Sequence, residues 1–142
     1  MLDSWQFWAV LSAVFAALAA LFAKAGVVEL PSDLAVLIRT FVILVALAIF
    51  LSVTRQLSLT GTTVNGRAWL FLALSGIAGA ASWIAYYRAL RLGDVSRVAP
   101  IDRMSVALVA VLGVIFLGER LSTAHWLGVA LAVAASLLVA LG

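Results

Sequence analysis

The sequence predicts an all-α polytopic membrane protein, with five transmembrane helices forming one unit over residues 1–142 and no soluble domain. Three observations carry that prediction. The chain is 66% hydrophobic and only 11% charged; a soluble domain of this length is about one quarter charged, so too little polar surface is left to face water. Its apolar residues gather into five runs of about 16–23 residues, or about 24–34 Å as helix, which suits a hydrocarbon core of about 30 Å. The breaks between the runs carry turn chemistry. The absence of Cys removes disulfides and thiolate metal sites. A pI near 10.2 would point to nucleic acid in a soluble protein. Here the basic residues lie in short connections, where they act on orientation in the bilayer. Nothing in the sequence resembles a metal set, a phosphate loop, a nucleophile triad or a nucleic-acid patch, so an enzyme, a cofactor and a nucleic-acid partner are not expected.

The first helix is placed over 5–28. Its stretch "AALAALFAKAG" has small residues at cleavage-like spacing, but the leader Met1-Leu2-Asp3-Ser4 has no Lys or Arg. The positively charged region of a signal peptide is missing, so a retained helix is expected. Glu29-Leu30-Pro31-Ser32-Asp33 leads to a second helix over 34–53. Thr60-Gly61-Thr62-Thr63-Val64-Asn65-Gly66 leads to a third over 68–90. Gly93-Asp94 precedes a fourth over 98–117, and Gly118-Glu119-Arg120-Leu121-Ser122 precedes a fifth over 124–141.

Five spans put the termini on opposite faces. The face with the N-terminus carries Arg55, Arg67 and Arg120; the other carries Lys24, Arg88, Arg91 and Arg97. Three against four leans slightly toward a cytoplasmic second face but barely enforces it. Either displaced helix ends hide a stronger bias, or the chain inserts both ways. Trp5, Trp8, Trp69 and Trp126 fall at ends on the first face, where indoles anchor helices among headgroups. Trp83, about two turns inside the third helix from the second face, is the exception.

Charges inside a membrane helix are costly and usually face a bundle interior or a water-filled cavity. Lys24, Arg39, Asp102 and Arg103 all fall about 5–10 Å inside the second face, counted at 1.5 Å per residue. Trp83, Tyr86 and Tyr87 lie at the same level, with Ser105 one turn further along the fourth helix. Gly76, Gly79, Ala80, Trp83 and Tyr87 share one helix face, and Ala13, Ala17, Ala20 and Lys24 make a similar stripe on the first helix. Such stripes serve close packing or leave a cavity. Lys24 could also snorkel to the headgroups, and the tyrosines could be interface aromatics. Asp102 has two readings. With Pro100 in a first helical turn it would sit at the positive end of the helix dipole. Arg103 is unfavourable there, and that favours a polar site in which Asp102 pairs across the bundle with Arg39 or Lys24. Three cations against one acid favour an anionic or zwitterionic small molecule. In the fifth helix Gly128, Ala132, Ser136 and Ala140 repeat every four residues, a line suited to packing or dimer contact. His125 reads as an interfacial residue.

The stretch "SWIAYYRALRLGDVSRVAPIDRMSVALVAVLGVIFLGERLSTAHWLGVAL" resembles the EamA family of the drug/metabolite transporter superfamily. The matching elements are the aromatic-rich end of the third helix before Ala89-Leu90, then Val98-Ala99-Pro100, Leu117-Gly118-Glu119 and Trp126-Leu127-Gly128. The resemblance implies a secondary transporter of a small organic metabolite, read as an exporter, in a cell inner membrane. Typical members have two inverted five-helix repeats around a cavity. This chain is one repeat long, so the resemblance implies a homodimer, with antiparallel copies and dual topology, or a heteromeric partner. It also implies that helices one, three and four line the cavity, which fits Lys24, Trp83, Tyr87 and Asp102, and that Glu119 is structural. A non-transporting membrane subunit that docks through the fifth helix is the alternative.

Overall fold

The computed structural model describes residues 4–56 and 65–142. The expected turn at Thr60-Gly61-Thr62-Thr63-Val64 and the leader Met1-Leu2-Asp3 lie outside the described residues. Six helices and no strand are found among the described residues: α1 (Trp5–Glu29), α2 (Ser32–Val53), α3 (Gly66–Leu92), α4 (Val95–Arg103), α5 (Ser105–Leu117) and α6 (Thr123–Leu141). α4 and α5 together make one span, Val95–Leu117, and five spans are long and apolar enough to cross a membrane. Large apolar side chains are exposed along every long helix, as surfaces that meet lipid tails should be.

Local sequence sets the helix ends. Pro31 precedes α2 with φ −55° and ψ 135°, which holds the chain out of the helix until Ser32. The Asn65 side chain accepts the Arg67 main-chain N–H at 3.1 Å and so opens α3. Ser122 caps α6: its Oγ accepts the His125 N–H at 3.4 Å and lies 2.7 Å from His125 Nδ1. Gly118 ends α5 at φ +66°, a backbone conformation that disfavours any side chain. The Gly113 carbonyl then accepts the Gly118 N–H and, at 3.2 Å, the Glu119 N–H.

The fourth span differs from the expected helix over 98–117. It starts at Val95, which places Pro100 sixth in α4 and Asp102 and Arg103 at its end. A proline there removes the N–H that would bond to the Ser96 carbonyl, but the helix carries through it and breaks at Met104 instead. The Met104 N–H bonds to the Ile101 carbonyl and the Ala107 N–H to the Met104 carbonyl, both at 3.0 Å. These are the i→i−3 steps of a tightened turn between two helical segments. Asp102 is therefore not in a first turn at the opening of this span, and the helix-start explanation for it falls.

The chain divides into two compact units, Ala23–Arg91 and the remainder, Met1–Phe22 with Leu92–Gly142. In the first, the buried apolar residues are Ala23 and Val27 of α1, Ala35 and Val36 of α2, and Tyr87 and Leu90 of α3. All lie within about two turns of the α1–α2 connection or of the α3 C-terminus. Val27 and Leu90 are fully enclosed. In the second unit α6 packs mainly on α4 and also on α5. Gly113 is buried there because the Glu119 carboxylate lies against it: a Cβ at Gly113 would come within 2.7 Å of Oε2.

Candidate functional site

The packed end of Ala23–Arg91 brings together five of the residues that the sequence singles out. Arg39, two turns into α2, extends its guanidinium over the Trp83 ring, with Cζ 4.3 Å from the ring centroid. The same carbon is 5.7 Å from the Tyr87 centroid. Trp83 and Tyr87 are four residues apart on α3, so one helix face presents both rings to one cation. Arg39 and Trp83 are half-buried and Tyr87 is only 3% exposed. Trp5, Trp8, Trp69 and Trp126, the predicted headgroup anchors, are all exposed. Tyr86 is half-buried, its ring 6.4 Å from that of Tyr87 at an interplanar angle of 62°.

Lys24 is held differently. Its Nζ donates to the Leu90 carbonyl at 2.6 Å, in the last turn of α3. The final carbonyls of a helix lack intrahelical donors and carry its negative end, so an ammonium satisfies both hydrogen bonding and charge. Arg88 and Asp33 form a two-pronged ion pair, Nε to Oδ1 at 3.0 Å and the terminal nitrogen to Oδ2 at 2.7 Å, which ties the end of α3 to the start of α2. Sequence reasoning placed Asp33 in a turn and Arg88 among the charges of one face, and missed their pairing. Opposite charges flanking consecutive spans on one face were the signal available. This end of the unit holds Lys24, Arg39, Arg88 and Arg91 against Glu29 and Asp33. Both oxygens of Asp33 are committed to Arg88, so it leaves positive charge at Arg39 unneutralised.

In the other unit, Asp102, Arg103 and Ser105 are exposed. Within that unit the Asp102 carboxylate has no hydrogen-bond or ion-pair partner among the described residues. Gly128 and Ala132 are exposed and Ser136 is half-buried. The Ser136 hydroxyl donates to the Ala132 carbonyl at 2.8 Å, so its hydrogen bond is spent inside α6. Gly128 borders an open groove of about 420 Å³ with Val106, Ala124, His125 and Val129. A Cβ at Gly76, Gly79 or Gly128 would meet nothing within 4 Å, so these glycines are not used for close helix approach among the described residues. No group of three or more His, Cys, Asp or Glu able to hold a metal occurs among the described residues.

Five spans with a stacked guanidinium inside one of them define a polytopic membrane protein with a charged site at helix depth. The chain belongs to the EamA-like transporter family, whose family model matches residues 3–141. It is 56% identical over 140 residues to a Sinorhizobium sp protein described as "Uncharacterized transporter in cobO 3'region", with 99% of each chain covered. No solved structure matches. The protein is a multi-pass membrane protein of a transporter family.

Proposed function

We propose that the protein is a secondary transporter that exports a small organic metabolite across a cell inner membrane, and that it works as an antiparallel homodimer with the substrate cavity between protomers. The observation that carries this reading is the Arg39 guanidinium on Trp83 and Tyr87, a costly charge inside a span that has no carboxylate partner among the described residues. Lys24, Tyr86, Asp102, Arg103 and Ser105 complete the proposed pathway. The Asp102 carboxylate, exposed and unpaired within its unit, acts as the gate by alternating between a cation of the protein and the substrate. A chain one repeat long can rebuild an inverted-repeat cavity from two opposed copies of itself, without a heteromeric partner, and its Lys/Arg distribution permits both orientations.

The open flank of Gly128 favours a second reading, a non-transporting subunit that docks through α6 at Gly128, Ala132 and Ser136. Two variants separate the readings. Reconstituted in liposomes with a panel of labelled organic acids and amino acids, Asp102→Asn is expected to slow uptake at least tenfold while chemical cross-linking still yields the dimer. Uptake by Asp102→Asn equal to wild type would remove Asp102 from the mechanism. Loss of association in Ala132→Ile, with no uptake by wild type across the panel, would replace the transporter with the docking subunit.

A further inference from the structure

We propose that Arg39 is the residue that grips the transported molecule, and that it grips an oxyanion, a carboxylate or a phosphate, through the edge of its guanidinium. This rests on the transporter reading above and adds the chemical class of the substrate. A guanidinium is flat, with five N–H donors radiating in its plane. Its Cζ lies over the Trp83 ring at 4.3 Å, and a ring face takes up none of the oxygen acceptors those donors need. Among the described residues Arg39 makes no hydrogen bond or ion pair, although it is half-buried within the α2 span. The nearest acid on its own helix, Asp33, has both oxygens held by Arg88. A charge fixed by two rings and left without a counter-ion in a medium of low dielectric is stabilised by a ligand that brings the counter-ion.

The same geometry excludes the opposite class of substrate. The faces of Trp83 and Tyr87 would otherwise make half of an aromatic cage for an organic cation. Arg39 already fills that position and is tethered there. An incoming lipophilic cation would have to expel it, against repulsion from Arg39 itself and from Lys24 on the neighbouring helix. The rings therefore serve as a support that orients a cation belonging to the protein. Lys24 donates to the Leu90 carbonyl at the next turn of α3, whereas Arg39 donates to no acceptor among the described residues.

Melting curves of the purified full chain in detergent, with sodium benzoate, inorganic phosphate or tetraphenylphosphonium, test the assignment. Benzoate or phosphate is expected to raise Tm in a saturable way, the stronger of the two naming the oxyanion, and tetraphenylphosphonium is expected to have no effect. Arg39→Gln should weaken oxyanion binding on the order of 10- to 100-fold, the usual weight of hydrogen bonds to a charged group. Arg39→Lys keeps the charge and the fold but loses the planar fork, and should also weaken it at least tenfold. Unchanged helical circular dichroism in both variants shows that folding is intact. Stabilisation by tetraphenylphosphonium alone, no response to either oxyanion, or equal binding by both variants would overturn the proposal. Repeating the titration in phosphatidylglycerol nanodiscs separates a transported oxyanion from a lipid phosphate: abolition of benzoate and phosphate binding there would assign Arg39 to the headgroups. Retained, Arg39-dependent binding with no flux in liposomes would remove the transporter reading and keep the site.

Discussion

Tyr87→Ala is expected to be the most destabilising single truncation in the protein, costing about 3 kcal/mol, in the range of buried aromatic-to-alanine changes. Tyr87 is 3% exposed, more enclosed than any other aromatic side chain among the described residues. It packs edge-on to Tyr86 at 6.4 Å and lies one turn from the fully enclosed Leu90. Lipid offers no hydrophobic gain for bringing helices together, so van der Waals packing at this end carries much of the association of α1, α2 and α3. Removing the ring opens a void there, takes one of two aromatic contacts from Arg39 and loosens the turn whose carbonyl holds Lys24. Tyr87→Phe keeps the ring and should stay within about 1 kcal/mol of wild type. Equilibrium unfolding in mixed detergent with increasing dodecyl sulfate measures both. Equal stability of the two variants would mean that the ring does not hold this end together.

Locking the chain in one orientation is expected to abolish transport, and mixing the two locked forms to restore it. Insertion follows Lys and Arg in short loops, and the three-against-four distribution is easily tipped. Gln56→Arg with Arg91→Ala and Arg97→Ala changes it to four on the N-terminal face against two. Arg67→Ala with Arg120→Ala leaves one against four. None of these residues belongs to the proposed pathway. Reporters fused after Gly142 should be active on both sides for wild type and on one side, opposite in the two cases, for the locked forms. Each locked form alone should give background flux, since two parallel copies cannot rebuild opposed repeats, and co-reconstitution should recover it. A wild-type reporter active on one side only would exclude the symmetric antiparallel dimer.

The five spans were legible because length and hydropathy alone decide them, and lipid leaves the chain little freedom except helices. Their ends were less legible. Pro100 suggested a helix opening at Val98 with the proline in its first turn, but the helix starts at Val95 and absorbs the lost hydrogen bond, with the break deferred to Met104. The level shared by Lys24, Arg39, Trp83 and Tyr87 was visible from counting residues along spans. The contacts were not: counting fixes depth and leaves rotation about each helix axis open. The bond from Lys24 to the Leu90 carbonyl and the contact of Arg39 with the rings both depend on that rotation. Main-chain acceptors and aromatic faces leave no charge pattern in a sequence. The Asp33–Arg88 pair did leave one, and went unread because both residues flank spans and looked like loop charges.

The most direct measurement is flux through Arg39. Wild-type protein and Arg39→Gln would be reconstituted at equal density in liposomes, and uptake of labelled carboxylates and organic phosphates followed against a concentration gradient of the unlabelled compound. Wild type is expected to show saturable, counterflow-driven uptake of at least one of them, with Arg39→Gln slower by at least tenfold. Equal uptake by the two proteins would contradict the role of the stacked guanidinium, and no uptake by wild type of any compound in the panel would contradict transport of an oxyanion.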